Sequence, residues 1–334
     1  MSLPASPSAA RLDPAALTPP LPWEFRDLPG ADADGVQPVG RPGKVGVLDL
    51  TLGADAASPV TKSGVTARFV KAPMQFTRPL YIDARDPGEA FVYVRSTGGG
   101  LAQNDRMRQR IRLESGARAT VTTPAGTPVH RMNAGLATQW ISLEVGSDAV
   151  CEYLPGQNIL FAGSRLLQVT EVSMADSATL LAADVILTGR LARGERDLFD
   201  AFGQCWRVTR GGRPLLSDSL IVVGAGTGRS EMLLSRWPVW GTALIVPPLG
   251  QPDAGRSTVV TELLGDLRAL LVELCSGVDA AELTAAASTM VGDAGITVRV
   301  AGEDPVAVRT IVDALHSLAR TRLLGRPAID LRRM

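Results

Sequence analysis

"QRIRLESGARA" (residues 109–119), "QWISLEVGSDA" (139–149) and "QVTEVSMADSA" (168–178) decide the fold, because they are one pattern written three times. The first two share Gln, Ile, Leu, Glu, Gly and Ala at equal offsets. The third keeps the Gln, the final Ala and an apolar residue at the Leu position. The copies stand 30 and 29 residues apart. A fixed period of this size predicts one β-coil per copy, each burying its apolar edge against the next. Within the first copy and just beyond it, Ala117, Ala119 and Val121 alternate with Arg118, Thr120 and Thr122, the two-residue period of a strand.

Outward from the repeat the texture is similar. From Lys44 to residue 255, runs such as "GVTARFV", "AFVYV", "AVCEYL", "CWRVTR" and "SLIVVG" are β-branched or aromatic, with Gly, Pro, Asp or Ser between them. Residues 1–43 are crowded with Pro, Ala, Asp and Gly and show no period, so a disordered leader is expected there. Helices come late, in residues 256–334. "TVVTELLGDLRALLVELC" carries a stripe through Val259, Leu263, Leu267, Leu270 and Leu274. A last helix is capped by Asp304, started by Pro305, lined by Val308, Ile311, Val312, Leu315 and Leu318, and ended by Gly325 and Pro327. "ITVRVAG" between them reads as a strand. The expected architecture is mainly β: a stacked β-coil, β-helix-like body with a small C-terminal helix–strand–helix segment packed on it.

Composition narrows the function. Thirty-four basic residues balance thirty-four acidic ones, which gives no net field toward nucleic acid or an anionic membrane. No run of about 18 apolar residues is present, and the first twenty-two residues hold no signal-peptide core, so a cytoplasmic location is expected. Cys151, Cys205 and Cys275 lie far apart, and His130 and His316 are the only histidines. A tight zinc or nickel site within the chain is therefore not expected. Any metal must be handled by oxygen ligands or by a partner's residues.

Several stretches invite chemistry. "VVGAGTGRS" (222–230) places Arg229 where a dinucleotide loop needs its third glycine, and no Lys follows for a P-loop, so it reads as a glycine-rich turn. "RMRQRIR" sets Arg106, Arg108, Arg110 and Arg112 on one strand face, about 6.6 Å between successive stems. That stripe is either a dock for an acidic partner or a solvated face paired with carboxylates. No nucleophile-and-base context surrounds His130, which follows a turn, or His316, at the polar edge of the last helix. Asp105, Glu152, Asp184 and Glu195 fall in or beside the coils. Spaced along a stack they would line a polar path for a weakly held divalent ion; the alternative is turn caps and pairs with the arginines.

The order "RPLY", "GGGLAQND", "GARATVTTPAGTPVHRM", "CEYLPGQNILF", "DVILTGRLARGE", "GGRPLLSDSL" resembles the urease accessory proteins of the D/H type (UreD/UreH), from about Lys44 to the C-terminal "GRPAIDLRRM". The chain departs from that pattern at Gln103 and Asn104, where a second Gly-Gly is usual, at the corner Thr127–Arg131, which lacks a lysine and an aromatic, and at Asp184, where Glu is common. The resemblance implies a scaffold, not an enzyme, with no tightly bound cofactor. Its implied partners are the urease apoprotein, an all-helical adaptor and a nickel-carrying GTPase. It also implies transient passage of Ni(II) through an internal polar channel, with Asp105, Glu152, Glu195 and Asp184 as channel candidates; removal of Asp105, Glu152 and Glu195 is expected to spare the fold. Arg106, Arg108, Arg110, Arg131 and Leu315 are the candidates for partner contact, the last helix either packing on the body or meeting the adaptor. The competing readings are a β-solenoid binding module with an unrelated ligand such as a polysaccharide, which 4% aromatic residues without a periodic ladder do not favour, and a nucleotide-dependent enzyme using "GAGTGR".

Overall fold

The computed structural model describes residues 12–30, 43–55, 61–224, 236–249, 256–280 and 282–331. Most of the "GAGTGR" turn and its continuation, 225–235, lie outside these. The first sheet runs β14 (Arg213–Val223), β13 (Ala201–Arg210), β11 (Arg165–Met174), β8 (Ala137–Val145), β5 (Arg106–Leu113), β1 (Val45–Asp55) and β2 (Lys62–Lys71). The second runs β16 (Leu283–Thr289), β17 (Ile296–Gly302), β15 (Val239–Val246), β12 (Thr179–Leu187), β9 (Val150–Leu154), β6 (Arg118–Thr122), β4 (Ala90–Ser96) and β3 (Met74–Phe76). A short third strip, β7 (Thr127–Val129) beside β10 (Asn158–Leu160), joins β12 at the corner.

The centre of each sheet is parallel: β1, β5, β8, β11 and β13 in the first, β4, β6, β9 and β12 in the second. The chain therefore winds from one sheet to the other and back, which is the expected solenoid. It turns through segments such as Glu114–Gly116, where Gly116 takes φ +72°, a conformation that strains a residue with a Cβ.

The winding register differs from the repeat in one respect. Gln168 stands opposite Gln139, as the 29-residue offset requires, but Gln109 stands opposite Ile141, a step of two beyond the offset of 30. A shift of two leaves every side chain on its own face, so Leu113 meets Val145 as well as it would have met Leu143. A fourth coil follows, with Gln204 opposite Gln168.

Between the sheets lies the main apolar core, including Leu50, Met107, Ile111, Val121, Leu143, Leu180 and Trp206. The outer face of the second sheet is covered by α2 (Arg256–Leu274) and α3 (Pro305–Leu324), so every residue of β12 is buried and its sequence shows no alternation. The cap of α3 is as expected: Asp304 accepts from the Val306 and Ala307 amides, and Gly325 closes the helix. In α2 the buried stripe is Val260, Leu263, Leu264, Leu267 and Leu271, one residue round from the expected one, and Val259 is exposed. The Ala-rich β16 adds a strand to the C-terminal segment that its composition hides, since Ala favours helices over strands.

Two expectations are corrected here. Residues 12–30 of the leader fold onto the outer face of the first sheet: a short helix α1 (Pro14–Leu17) sets Leu17 against Val45 and Val47, and a turn at Trp23–Phe25 sets Phe25 among Leu167, Val169 and Ala201. Two fully buried apolar side chains supply the ordering energy that the composition conceals. The arginine stripe is also used internally. Arg108 is buried, stacks 4.1 Å from the Trp140 ring centre, and donates to the carbonyls of Ala16 and Trp140. Arg110, which pairs with Asp49 and also donates to Ala16, and Arg112, which pairs with Glu144, keep to the reading of a face paired with carboxylates, so the correction falls on Arg108. Arg106 is half-buried.

Candidate functional site

The strand alternation of β12 and β9 sorts the candidate carboxylates onto different faces. Asp184 shares a face with Leu180, Ala182 and Ile186, which look into the space between the sheets. Glu152 lies on the opposite face of the second sheet, beside Leu154, looking toward the helices. The four sequence candidates are thus not one constellation.

Asp184 is fully enclosed and ends a line of amides. The cleft at the rim of the first coil, about 280 Å³, is lined by Gln109 and Gln139 together with Met74, Met107 and the Thr123–Pro128 turn. From there Asn158 Nδ2 donates to Gln139 Oε1 at 3.3 Å and to Gln168 Oε1. Gln168 Nε2 donates in turn to Asp184 Oδ2, which also accepts from Gln204 Nε2 at 3.1 Å. Gln139, Gln168 and Gln204 sit side by side on successive strands of the first sheet. Burial raises the Asp184 carboxyl to about 6 against the lowering pull of the two glutamine donors. Its Oδ1, like Gln109 Oε1 at the cleft, is buried without a hydrogen-bond partner.

Glu152 is the centre of a second, ionic cluster. Its Oε2 accepts from His316 Nε2 at 2.5 Å and its Oε1 from Arg320 Nε at 2.9 Å, both donors projecting from α3. Arg320 also pairs with Glu89 and, at 3.2 Å, with Asp83; Arg326 pairs with Asp86 at 2.6 Å and Glu89 at 3.2 Å; Arg118 holds Asp86 from β6. Burial pushes the Glu89 carboxyl up to about 7, helped by the Glu152 charge and opposed by Arg320 and Arg326. Burial pushes Glu152 up as well, but the hydrogen bond and charge of His316 and the charge of Arg320 outweigh it and leave the group below its ordinary value. With both oxygens engaged by side chains of the last helix, Glu152 is built to hold α3 to the sheet.

The other candidates are local. Asp105 is buried beneath a turn, where its oxygens accept from the Lys44 amide at 2.7 Å and the Ala102 amide at 2.9 Å. Glu195 stands at the surface, paired with Arg190, whose guanidinium lies 4.2 Å from the Phe161 ring centre; the hydrogen bond from Arg190 lowers the Glu195 carboxyl. His130 Nε2 donates to the Gly99 carbonyl at 3.0 Å and its ring meets Phe161 edge-on, a hydrogen-bonded corner. Leu315 corrects its expectation: it is fully buried between α3 and the second sheet and offers nothing to a partner. Among the described residues no three or more His, Cys, Asp or Glu side chains converge to hold a metal, and no helix is long and apolar enough to cross a membrane.

The amide line and the ionic cluster were outside the sequence reading. Gln139 and Gln168 were visible as the first letter of the repeat, while Gln204, Asn158, Glu89 and Arg320 carried no local signal.

Fold and site together define a short β-solenoid with a helix-covered face, a polar seam between its sheets and a buried ionic clamp under its last helix. The sequence profile described as UreD urease accessory protein matches residues 45–333. A urease accessory protein UreD 2 of Streptomyces griseus is 35% identical over 88% of this chain and 95% of its own length. UreD proteins of Haloarcula marismortui and Cenarchaeum symbiosum are 31% and 28% identical, over 87% and 86% of this chain and 91% and 95% of theirs. The chain belongs to the UreD urease accessory protein family.

Proposed function

We propose that this chain is a cytoplasmic, non-catalytic scaffold of urease maturation. It binds the urease apoprotein, a helical accessory adaptor and an accessory GTPase, and passes Ni(II) along the seam between its sheets. The observation that carries the passage is the hydrogen-bonded line Gln139–Asn158–Gln168–Asp184, which starts at an open cleft and ends on a carboxylate with one unpartnered oxygen. Amide and carboxylate oxygens bind a borderline dication less tightly than a thiolate and imidazole cage, so an ion can leave as readily as it enters. A buried carboxylate that is short of partners gains more from a passing dication than an exposed one does. Of the four sequence candidates, Asp184 therefore takes the transfer role. Asp105 and Glu152 support the fold around it, and Glu195 stands by the corner where β10 meets β12.

The test is co-expression of the tagged chain with the urease subunits and the two other accessory proteins, followed by capture and urease assay with and without nickel. Co-purification with nickel-dependent activation supports the reading. A folded chain that captures none of them sinks it.

A further inference from the structure

A second cleft, about 370 Å³, opens at the corner where the chain turns into β8 and β11, away from the amide seam. Two guanidiniums line it in unequal states. Arg165 is almost wholly buried and is gripped by Asp200, which accepts from Nε at 3.1 Å and Nη2 at 3.0 Å, while Nη1 reaches the Gly135 carbonyl. Arg131 is exposed and pairs with no carboxylate among the described residues, because the one acid lining the cleft is already committed to Arg165. The lining thus carries one uncompensated positive charge.

The position of Arg131 is built. Its backbone bridges to Ser164, and its stem lies along Gly163, where an added Cβ would meet Arg131 Cγ at 3.0 Å. Gly163 takes φ +69°, so the close approach and the backbone conformation favour the same residue. Asn133 stands exposed beside it, with its backbone amide held by Gln103. The Gly163 backbone is itself held, its amide donating to the Leu198 carbonyl. A fixed stem and an open planar fork form a receptor for a carboxylate.

We infer that this cleft is a docking site for an acidic side chain, Asp or Glu, of a protein partner, held by Arg131 with Arg165 and Asn133 alongside. The inference rests on the scaffold reading and gives it a contact point. The two-pronged Arg165–Asp200 pair, half-buried, fixes the wall, so that only Arg131 changes partner on binding.

The experiment uses the full chain co-expressed with the urease subunits, adaptor and GTPase, comparing wild type with Arg131→Glu, Arg131→Lys and the exposed control Arg213→Glu. Charge reversal is expected to lower capture of one of these partners by about ten-fold or more, with Arg131→Lys intermediate and the control unchanged. The same capture should weaken from low to high salt for wild type and be flat for Arg131→Glu. Thermal melting checks that Arg131→Glu is folded. Undiminished capture by Arg131→Glu overturns the docking site while leaving the scaffold reading intact; a wild-type chain that captures nothing overturns both. A rise in melting temperature with acetate or phosphate, seen for wild type and lost in Arg131→Glu while capture is unchanged, would reassign the cleft to a free anion.

Discussion

Arg320 and Glu152 are 168 residues apart in the chain, yet they meet at 2.9 Å with both side chains about 1% exposed. The pair locks the last helix to the third strand of the parallel run in the second sheet. It also sits within hydrogen-bond reach of Glu89 and ion-pair distance of Asp83, so one guanidinium serves three buried carboxyls.

Arg320→Met is therefore expected to destabilise the chain by roughly 3–5 kcal/mol, because it leaves buried charges without a partner. Equilibrium urea unfolding of the purified protein measures it. A loss under about 1 kcal/mol would mean that solvent reaches the cluster and the clamp is not a clamp.

The same cluster gives a pH dependence. Asp83, Asp86, Glu89 and Glu152 face Arg118, Arg320 and Arg326, so these seven groups are neutral together when Glu89 holds a proton. Glu89 is raised from 4.5 to about 7. Between those values the folded chain binds more protons than the unfolded one, so stability from this group is full below the lower value and is lost as pH rises through the upper one. The opposite holds for Asp86 and Glu152, which are lowered and lose their contribution as pH falls. Melting temperature is expected to drop between about pH 4.5 and 7 in wild type, and Glu89→Gln, which keeps an acceptor for Thr120, should flatten that drop. An unchanged slope in the variant would assign the titration to another group.

Arg108 ties the leader to the solenoid. Its guanidinium donates to the Ala16 carbonyl at 3.2 Å while it stacks on Trp140. Arg108→Ala removes both contacts and is expected to cost about 1–2 kcal/mol. It should also speed proteolytic cleavage within residues 12–30 relative to the coils. Equal cleavage rates for variant and wild type would show that Leu17, Phe25 and the remaining hydrogen bond from Arg110 to Ala16 hold that segment without Arg108.

How much of this was readable depends on distance along the chain. The coils were legible because Gln139 and Gln168 repeat locally and each strand alternates with a period of two. The last helix was legible because Asp304, Pro305 and Gly325 act within a few residues of one another. The register step at Gln109 was hidden because a two-residue shift conserves the facing of every side chain. The clamp was hidden for a different reason: Glu89, Glu152 and Arg320 come together only when the solenoid is wound and the helix is laid across it. Likewise the charged face of β5 read as solvent because nothing in "RMRQRIR" says that residues ninety positions upstream will cover it.

Asp184→Asn separates transfer from architecture. Asp184 Oδ2 accepts from Gln168 and Gln204, and the asparagine carbonyl can accept from the same two amides, so the side-chain frame survives. Removing a fully buried carboxyl that is raised to about 6 also removes a desolvation cost, and stability at pH 7 to 8 is expected to stay level or rise by about 1 kcal/mol. What the variant loses is the one charged oxygen donor at the end of the amide line. Nickel-dependent activation of co-expressed urease is accordingly expected to fall about ten-fold or more, the scale of one lost charge contact in a buried site, while capture of the partners holds. Glu195→Gln, at the surface, is the comparison that should leave stability unchanged. Asp105→Ala, which strips the acceptor from the Lys44 and Ala102 amides, should instead lower stability by about 1–3 kcal/mol and activation only in proportion to the folded fraction. Full activation by Asp184→Asn would remove the seam as the path of the ion, and the polar line between the sheets would then be a device for register alone.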